Sequence, residues 1–169
     1  KIHHGKIGRS GNMNVKIYIE TSLKGPAIKD GYYASVIEYQ TSKGPAILGQ
    51  VGKEEDTTYN RSTLLAIVGA LKKLKPNTEV LIYTHCAFVK NIYERGTLED
   101  WKREEWVKPS GEQVANSALW QQFLTESERV GKIGFRFSKF NDYIDFMQEK
   151  IEERQKKEEK TEDENAKKP

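Results

Sequence analysis

Residues 78–84, TEVLIYT, form a nearly continuous apolar run only seven residues long. A strand with one wet face alternates; a run like this suits a strand buried on both faces and paired in parallel with its neighbour. Just ahead of it, EEDTTYNRSTLLAIVGALKKL (54–74) places Leu64, Leu65, Ile67, Val68, Leu71 and Leu74 on one helical stripe, and Pro76 and Asn77 close it. A helix is the usual crossover into a parallel strand. Before that helix, NVKIYIETS (14–22) alternates Val15, Ile17 and Ile19 with Lys16, Tyr18 and Glu20. YYASVIEYQT (32–41) is rich in β-formers, and PAILGQVGK (45–53) reads as a third, weaker strand. The connections LKGPAIKDG and SKG are short, so these three strands must be antiparallel.

Beyond the parallel strand, helical pattern continues to Lys108, broken at GTLEDW and PSGEQ. Residues 114–131 predict an amphipathic helix closed by Gly131, 132–139 alternate as a strand, and 140–151 form a last helix with Phe140, Tyr143, Ile144, Met147 and Ile151 on one face. The order is β-β-β-α-β-α-α-α-β-α, within one domain expected at 13–151. Residues 152–169 are a Glu/Lys-rich tail or helix extension with opposite charges four apart. KIHHGKIGRSGN (1–12) resembles a tag remnant, with Met13 as the expected native start, so His3 and His4 carry no weight as metal ligands.

The chain is 36% hydrophobic and 31% charged, with a net charge of +3 that does not by itself demand a nucleic-acid partner. No apolar run approaches the length of a membrane-spanning helix, and no leader is expected, so the plain expectation is a cytoplasmic protein without a membrane partner. The single cysteine, Cys86, can form neither an internal disulfide nor a cysteine-based zinc site.

Several motifs in fixed order resemble the type-one ribonuclease H family. VKIYIETS with GYYA is similar to the family's first strand, loop and second strand, with Gly25, Gly31, Tyr32 and Ala34 in register. TTYNRSTLLAIVGALKKL is similar to its TTNNRAEL helix, LIYTHCAFVKNI to its TDS segment, and WKREEWVKPSGEQVANSALWQQF to its WK, GW and LWQ positions. The resemblance covers roughly Asn14 to Ile151. It implies an α/β, ribonuclease H-like fold. The β-β-β-α-β pattern and the right-handed crossover give a five-stranded mixed sheet in order 3-2-1-4-5, with helices on both faces.

The family cleaves RNA–DNA hybrids with two divalent ions held by four carboxylates, and the resemblance maps these onto altered positions. The first-strand Asp corresponds to Glu20, the helix Glu to Thr63, the TDS Asp to His85 and the last-helix Asp to Asp145. The family's histidine loop has no counterpart in RFSKFND. Glu20, His85 and Asp145 form the candidate metal set, with Asp142 nearby. Mg²⁺ prefers oxygen ligands alone, whereas imidazole suits Mn²⁺ or Zn²⁺. Cys86, in place of a Ser, is expected to be a packing residue rather than a nucleophile.

The substrate-facing positions are better kept. Thr58, Asn60 and Arg61 match the family's backbone-holding turn, with Tyr59 replacing an Asn, and Trp101, Trp106, Asn116 and Trp120 fall on its Trp and Asn positions. Lys90, Arg95, Lys102, Arg103 and Lys108 interleave with these aromatics, diluted by Glu94, Glu99, Asp100, Glu104 and Glu105. The expectation is a module that binds nucleic-acid duplex weakly at Thr58, Asn60, Arg61, Trp101, Asn116 and Trp120, without efficient hydrolysis. The alternatives are an active ribonuclease using Mg²⁺ or Mn²⁺ at an altered site, and a protein-interaction scaffold.

Overall fold

The computed structural model describes residues 13–169; the tag-like segment lies outside them. Five strands, β1 (Met13–Thr21), β2 (Lys29–Thr41), β3 (Gly44–Thr57), β4 (Thr78–Thr84) and β5 (Gly131–Phe137), form one sheet in the order β3-β2-β1-β4-β5. β1, β2 and β3 pair antiparallel, whereas β4 lies parallel to β1 and β5 parallel to β4. The apolar run of the opening argument is thus β4, with Ile82 beside Ile17 on one side and Phe135 on the other. The expected mixed sheet is the one observed.

Five helices follow from the same pattern: α1 (Tyr59–Leu71), α2 (Ala87–Glu94), α3 (Thr97–Arg103), α4 (Ser117–Val130) and α5 (Ile144–Ala166). Alternation along β1 sends Val15, Ile17 and Ile19 into the larger core, where they join Leu64, Ile67 and Leu71 of α1 and Trp120 and Phe123 of α4. Tyr18 points to the opposite face and joins Tyr32, Ala34 and Val36 beneath Met147 and Ile151 of α5. Helices therefore cover both faces.

Several boundaries differ from the sequence pattern: GTLEDW, read as a break, falls within α3 from Thr97 onward, because Gly96 takes a left-handed backbone and ends only the helix before it. Glu54–Thr57, read as helix, belong to β3, because Glu54 pairs with Gly31 and Thr57 with Lys29 across an irregular register. Strand pairing overrides the helical preference of the two glutamates, and α1 starts only where the Thr58 side chain accepts the Arg61 N–H at 3.2 Å. At Gly31 a β-carbon would meet side-chain methyls of Thr57 at 2.8 Å and Leu23 at 2.9 Å, so any larger residue would have to push them aside. The last helix starts at Ile144, with Tyr143 as its cap and Phe140 outside it and exposed rather than on its apolar face, and it runs through the charged segment to Ala166, supported by an Arg154–Glu158 pair one turn apart.

Candidate nucleic-acid interface

β1 and β4 run parallel and end side by side, so Glu20 and His85 meet at the carboxyl edge of the sheet, a place where open α/β sheets put ligands. His85 Nε2 lies 3.2 Å from Glu20 Oε1. With the hydrogen on Nε2 the ring donates to Glu20 and Nδ1 accepts the Tyr59 hydroxyl at 2.5 Å; with it on Nδ1, the ring donates to Tyr59 and Nε2 accepts from Lys24. Lys24 binds the same Glu20 oxygen and stands 3.1 Å from His85 Nε2. The Thr21 N–H donates to Oε1 at 3.0 Å, and the Gln148 amide of α5 donates to Oε2 at 2.8 Å. Both oxygens of the Glu20 side chain, 1% exposed, are therefore engaged.

Burial alone would push the Glu20 carboxyl up. Hydrogen bonds from His85 and Lys24, the Lys24 charge and the Gln148 amide outweigh burial and bring it from 4.5 down to about 2. The folded pKa is depressed, so its stabilisation is full above pH 4.5, declines as pH falls and is gone below about 2. At neutral pH the contribution is roughly 2–3 kcal/mol, reduced somewhat because Lys24 is half exposed. Glu20→Gln should lose about this much in denaturant unfolding at pH 7, and the gap between the two proteins should close towards pH 2. A constant gap across that range would refute the assignment.

The other candidate residues separate. Thr63 is fully buried on α1, beside Cys86. Cys86 is buried, its thiol pushed up by burial, and it donates to Asn60 Oδ1 at 3.3 Å rather than engaging His85. Asp145 lies exposed in the first turn of α5. That helix advances along β1 from Tyr143, 5.0 Å from Tyr18, to Gln148, against Glu20. Asp145 is one turn too early, and Gln148 stands at the level of Glu20 instead. Among the described residues no three His, Cys, Asp or Glu side chains gather to hold a metal ion, so Glu20, His85 and Asp145 do not assemble as a ligand set.

Beside this site runs a groove of 830 Å³ whose lining includes Thr58, Asn60, Arg61, Trp101, Asn116 and Trp120. The six residues singled out in the sequence thus share one surface, though in unequal roles. Arg61 is clamped, donating to Asn116 Oδ1 at 3.3 Å and to Glu54 at 2.7 Å; the bond to Glu54 is the main reason that carboxyl lies below its usual range. Asn116 takes a left-handed backbone, φ 60°, at the start of α4, a conformation asparagine tolerates well. Trp120 is only 2% exposed and packs edge-on against Trp101 and Phe123, so it forms the floor of the groove and cannot offer a face to a base. Trp101 is partly buried and also meets Trp106, which packs against the core. Lys24 and Phe88, the latter 50% exposed, line the groove and were not singled out in the sequence. A lysine four residues after Glu20, in a loop that turns at Gly25-Pro26, was the available signal.

The sequence profile of RNase H matches residues 12–139. The chain belongs to the RNase H family. Ribonuclease H of Thermoanaerobacter sp. (strain X514) is 33% identical over 120 residues, 70% of this chain and 74% of that protein. Among solved structures, LC9-RNase H1, a type 1 RNase H with the type 2 active-site motif, superposes with a TM-score of 0.63 at 22% identity over 78% of this chain and 65% of that one. LC11-RNase H1 in complex with RNA/DNA hybrid gives 0.53 at 16% identity, covering 73% and 84%. Both structural likenesses establish the RNase H fold for this chain.

Proposed function

We propose that this RNase H-family chain binds RNA–DNA hybrid or related duplex weakly through the Thr58–Trp101 groove, without efficient hydrolysis. The observation that carries the reading is the contrast between two adjacent surfaces. Thr58, Asn60, Arg61, Trp101 and Asn116 share one groove with Lys24 and Lys108. At the neighbouring sheet edge, one buried carboxylate is taken up by an ammonium, an imidazole and an amide. Two Mg²⁺ ions flanking a phosphate need several shared hard oxygen ligands. The donors around Glu20 do not fit such a pair.

The groove's chemistry suits a duplex read by shape. Polar side chains and a few cations favour phosphates and sugar hydroxyls without reading base order. The hybrid seen bound to LC11-RNase H1 supports the same substrate class. Asp56 in the groove and the Glu54–Arg61 pair temper its positive charge. Affinity is accordingly expected at micromolar Kd or weaker at moderate salt, about the level of non-specific binding.

Titrating labelled hybrid, double-stranded RNA and double-stranded DNA at two salt concentrations tests this. Binding should weaken as salt rises, and Arg61→Ala and Trp101→Ala should each weaken it several-fold. No binding to any duplex at low salt, or full affinity in both variants, refutes the groove and favours the scaffold. Cleavage in Mg²⁺ or Mn²⁺ would favour the altered-site ribonuclease.

A further inference from the structure

We infer that Lys24 is the groove's built-in cation: its ammonium neutralises Glu20 and presents positive charge to a duplex phosphate, so that binding needs no divalent ion. The inference rests on the groove reading above and names a residue and an ion requirement that reading leaves open.

The geometry is specific. Lys24 binds Glu20 Oε1 and lies 3.1 Å from His85 Nε2, yet its side chain stays 48% exposed and lines the same groove as Arg61 and Trp101. An ammonium has three donors. One is spent on the buried carboxylate, which leaves donors free to face the groove. Lysine is a compact point charge and a common phosphate ligand, with no need for the planar fork of arginine. The loop that carries it is fastened at its start by Ser22, whose N–H donates to the Tyr32 carbonyl and whose hydroxyl accepts the Tyr32 N–H, both at 2.9 Å. The Thr21 hydroxyl adds a bond to the Leu23 carbonyl at 2.8 Å. Lys24 is therefore delivered to Glu20 by anchored backbone rather than by a wandering side chain.

The carboxylate explains why a cation must be there. Glu20 is buried and anionic at the place where the groove meets the sheet edge, and a phosphate brought close would be repelled by it. In relatives built on clustered carboxylates, bound metal ions supply the opposing charge. Here Lys24 and the Nε2 edge of His85 face Oε1, while the Gln148 amide occupies Oε2. Removing Lys24 should expose the uncompensated carboxylate and create a demand for an external cation.

The test is fluorescence anisotropy with a labelled RNA–DNA hybrid, in EDTA and then in Mg²⁺ at constant ionic strength. The wild-type protein should bind equally in both. Lys24→Ala should lose about 5- to 10-fold in EDTA, with a salt slope smaller by about 1, and should regain part of the loss in Mg²⁺. Lys24→Arg should keep most of the affinity. Glu20→Gln combined with Lys24→Ala should show no Mg²⁺ recovery, because the repelling charge is gone. Thermal melts in parallel confirm that each variant is folded. Wild-type binding that requires Mg²⁺, or Lys24→Ala with unchanged affinity and slope, overturns the inference. If Arg61→Ala and Trp101→Ala weaken binding while Lys24→Ala does not, the groove stands and only the role of Lys24 falls. If the wild type binds no duplex, both fall.

Discussion

Purified protein mixed with an RNA–DNA hybrid and Mg²⁺ is expected to show no cleavage above background over hours. Each lost charge-stabilising group in a reaction of this kind costs about 10²-fold or more. On the proposed reading, in which Thr63 and His85 stand at two carboxylate positions, the deficit against a complete site is on the order of 10⁴-fold. On that reading, the contacts around Glu20 set what a repair has to include. Thr63→Glu with His85→Asp restores two carboxylates but leaves Lys24 on one Glu20 oxygen and Gln148 on the other. That double variant should remain nearly inert. Adding Lys24→Ala and Gln148→Asp frees both oxygens and puts an acid at the α5 position that faces Glu20. The fourfold variant should show measurable Mg²⁺-dependent cleavage, still slow because the segment before α5 has no histidine. Thr63 is fully buried, so a glutamate there costs stability, and a thermal melt must accompany the assay. Robust turnover by the wild-type protein, abolished by Glu20→Ala, would disprove this account.

Trp120→Ala should be the most destabilising change at any candidate binding residue. The indole is 2% exposed and touches both Trp101 and Phe123, so its removal leaves a large cavity where α4 meets the core. Truncations of this type cost about 3–5 kcal/mol. For a domain of this size that lowers Tm by roughly 10 °C. Any loss of duplex binding should then follow from unfolding, whereas Trp101→Ala should weaken binding with a much smaller change in Tm. A Trp120→Ala protein that melts like the wild type but fails to bind would return the residue to the contact surface.

The sheet was legible because its evidence is local and redundant. The two-sided apolar run of β4, the alternation of β1 and the single long crossover helix leave few arrangements, and the family motifs agree with them. The end of β3 was not legible. Glu54 and Glu55 favour helix on their own, and only pairing with β2 across the irregularity near Gly31 makes their neighbourhood a strand. Within the site, Glu20 and His85 could be placed because both sit at ends of well-defined strands. Asp145 and Gln148 could not be told apart in role, because that choice turns on how far α5 has advanced along β1. Spacing in a sequence does not encode that advance. Lys24 was hidden for a similar reason: an exposed lysine in a loop is ordinary until the loop's own hydrogen bonds aim it at a buried carboxylate.

The long α5 helix is held in two different ways along its length. Met147 and Ile151 sink into the smaller core, and no later residue of the helix is buried. Further on, Glu158 gathers the Tyr32 hydroxyl at 2.5 Å, Lys53 at 3.1 Å and Arg154 at 2.8 Å, and chiefly through the Tyr32 bond its carboxyl is held at about 2. The first stretch is expected to melt only with the domain. The second is held by charged and polar contacts, so it should be indifferent to mild acid, sensitive to ionic strength, and able to fray while the sheet beneath stays intact. One continuous helix thus joins two zones of cooperativity, and the border between them is chemical rather than geometric.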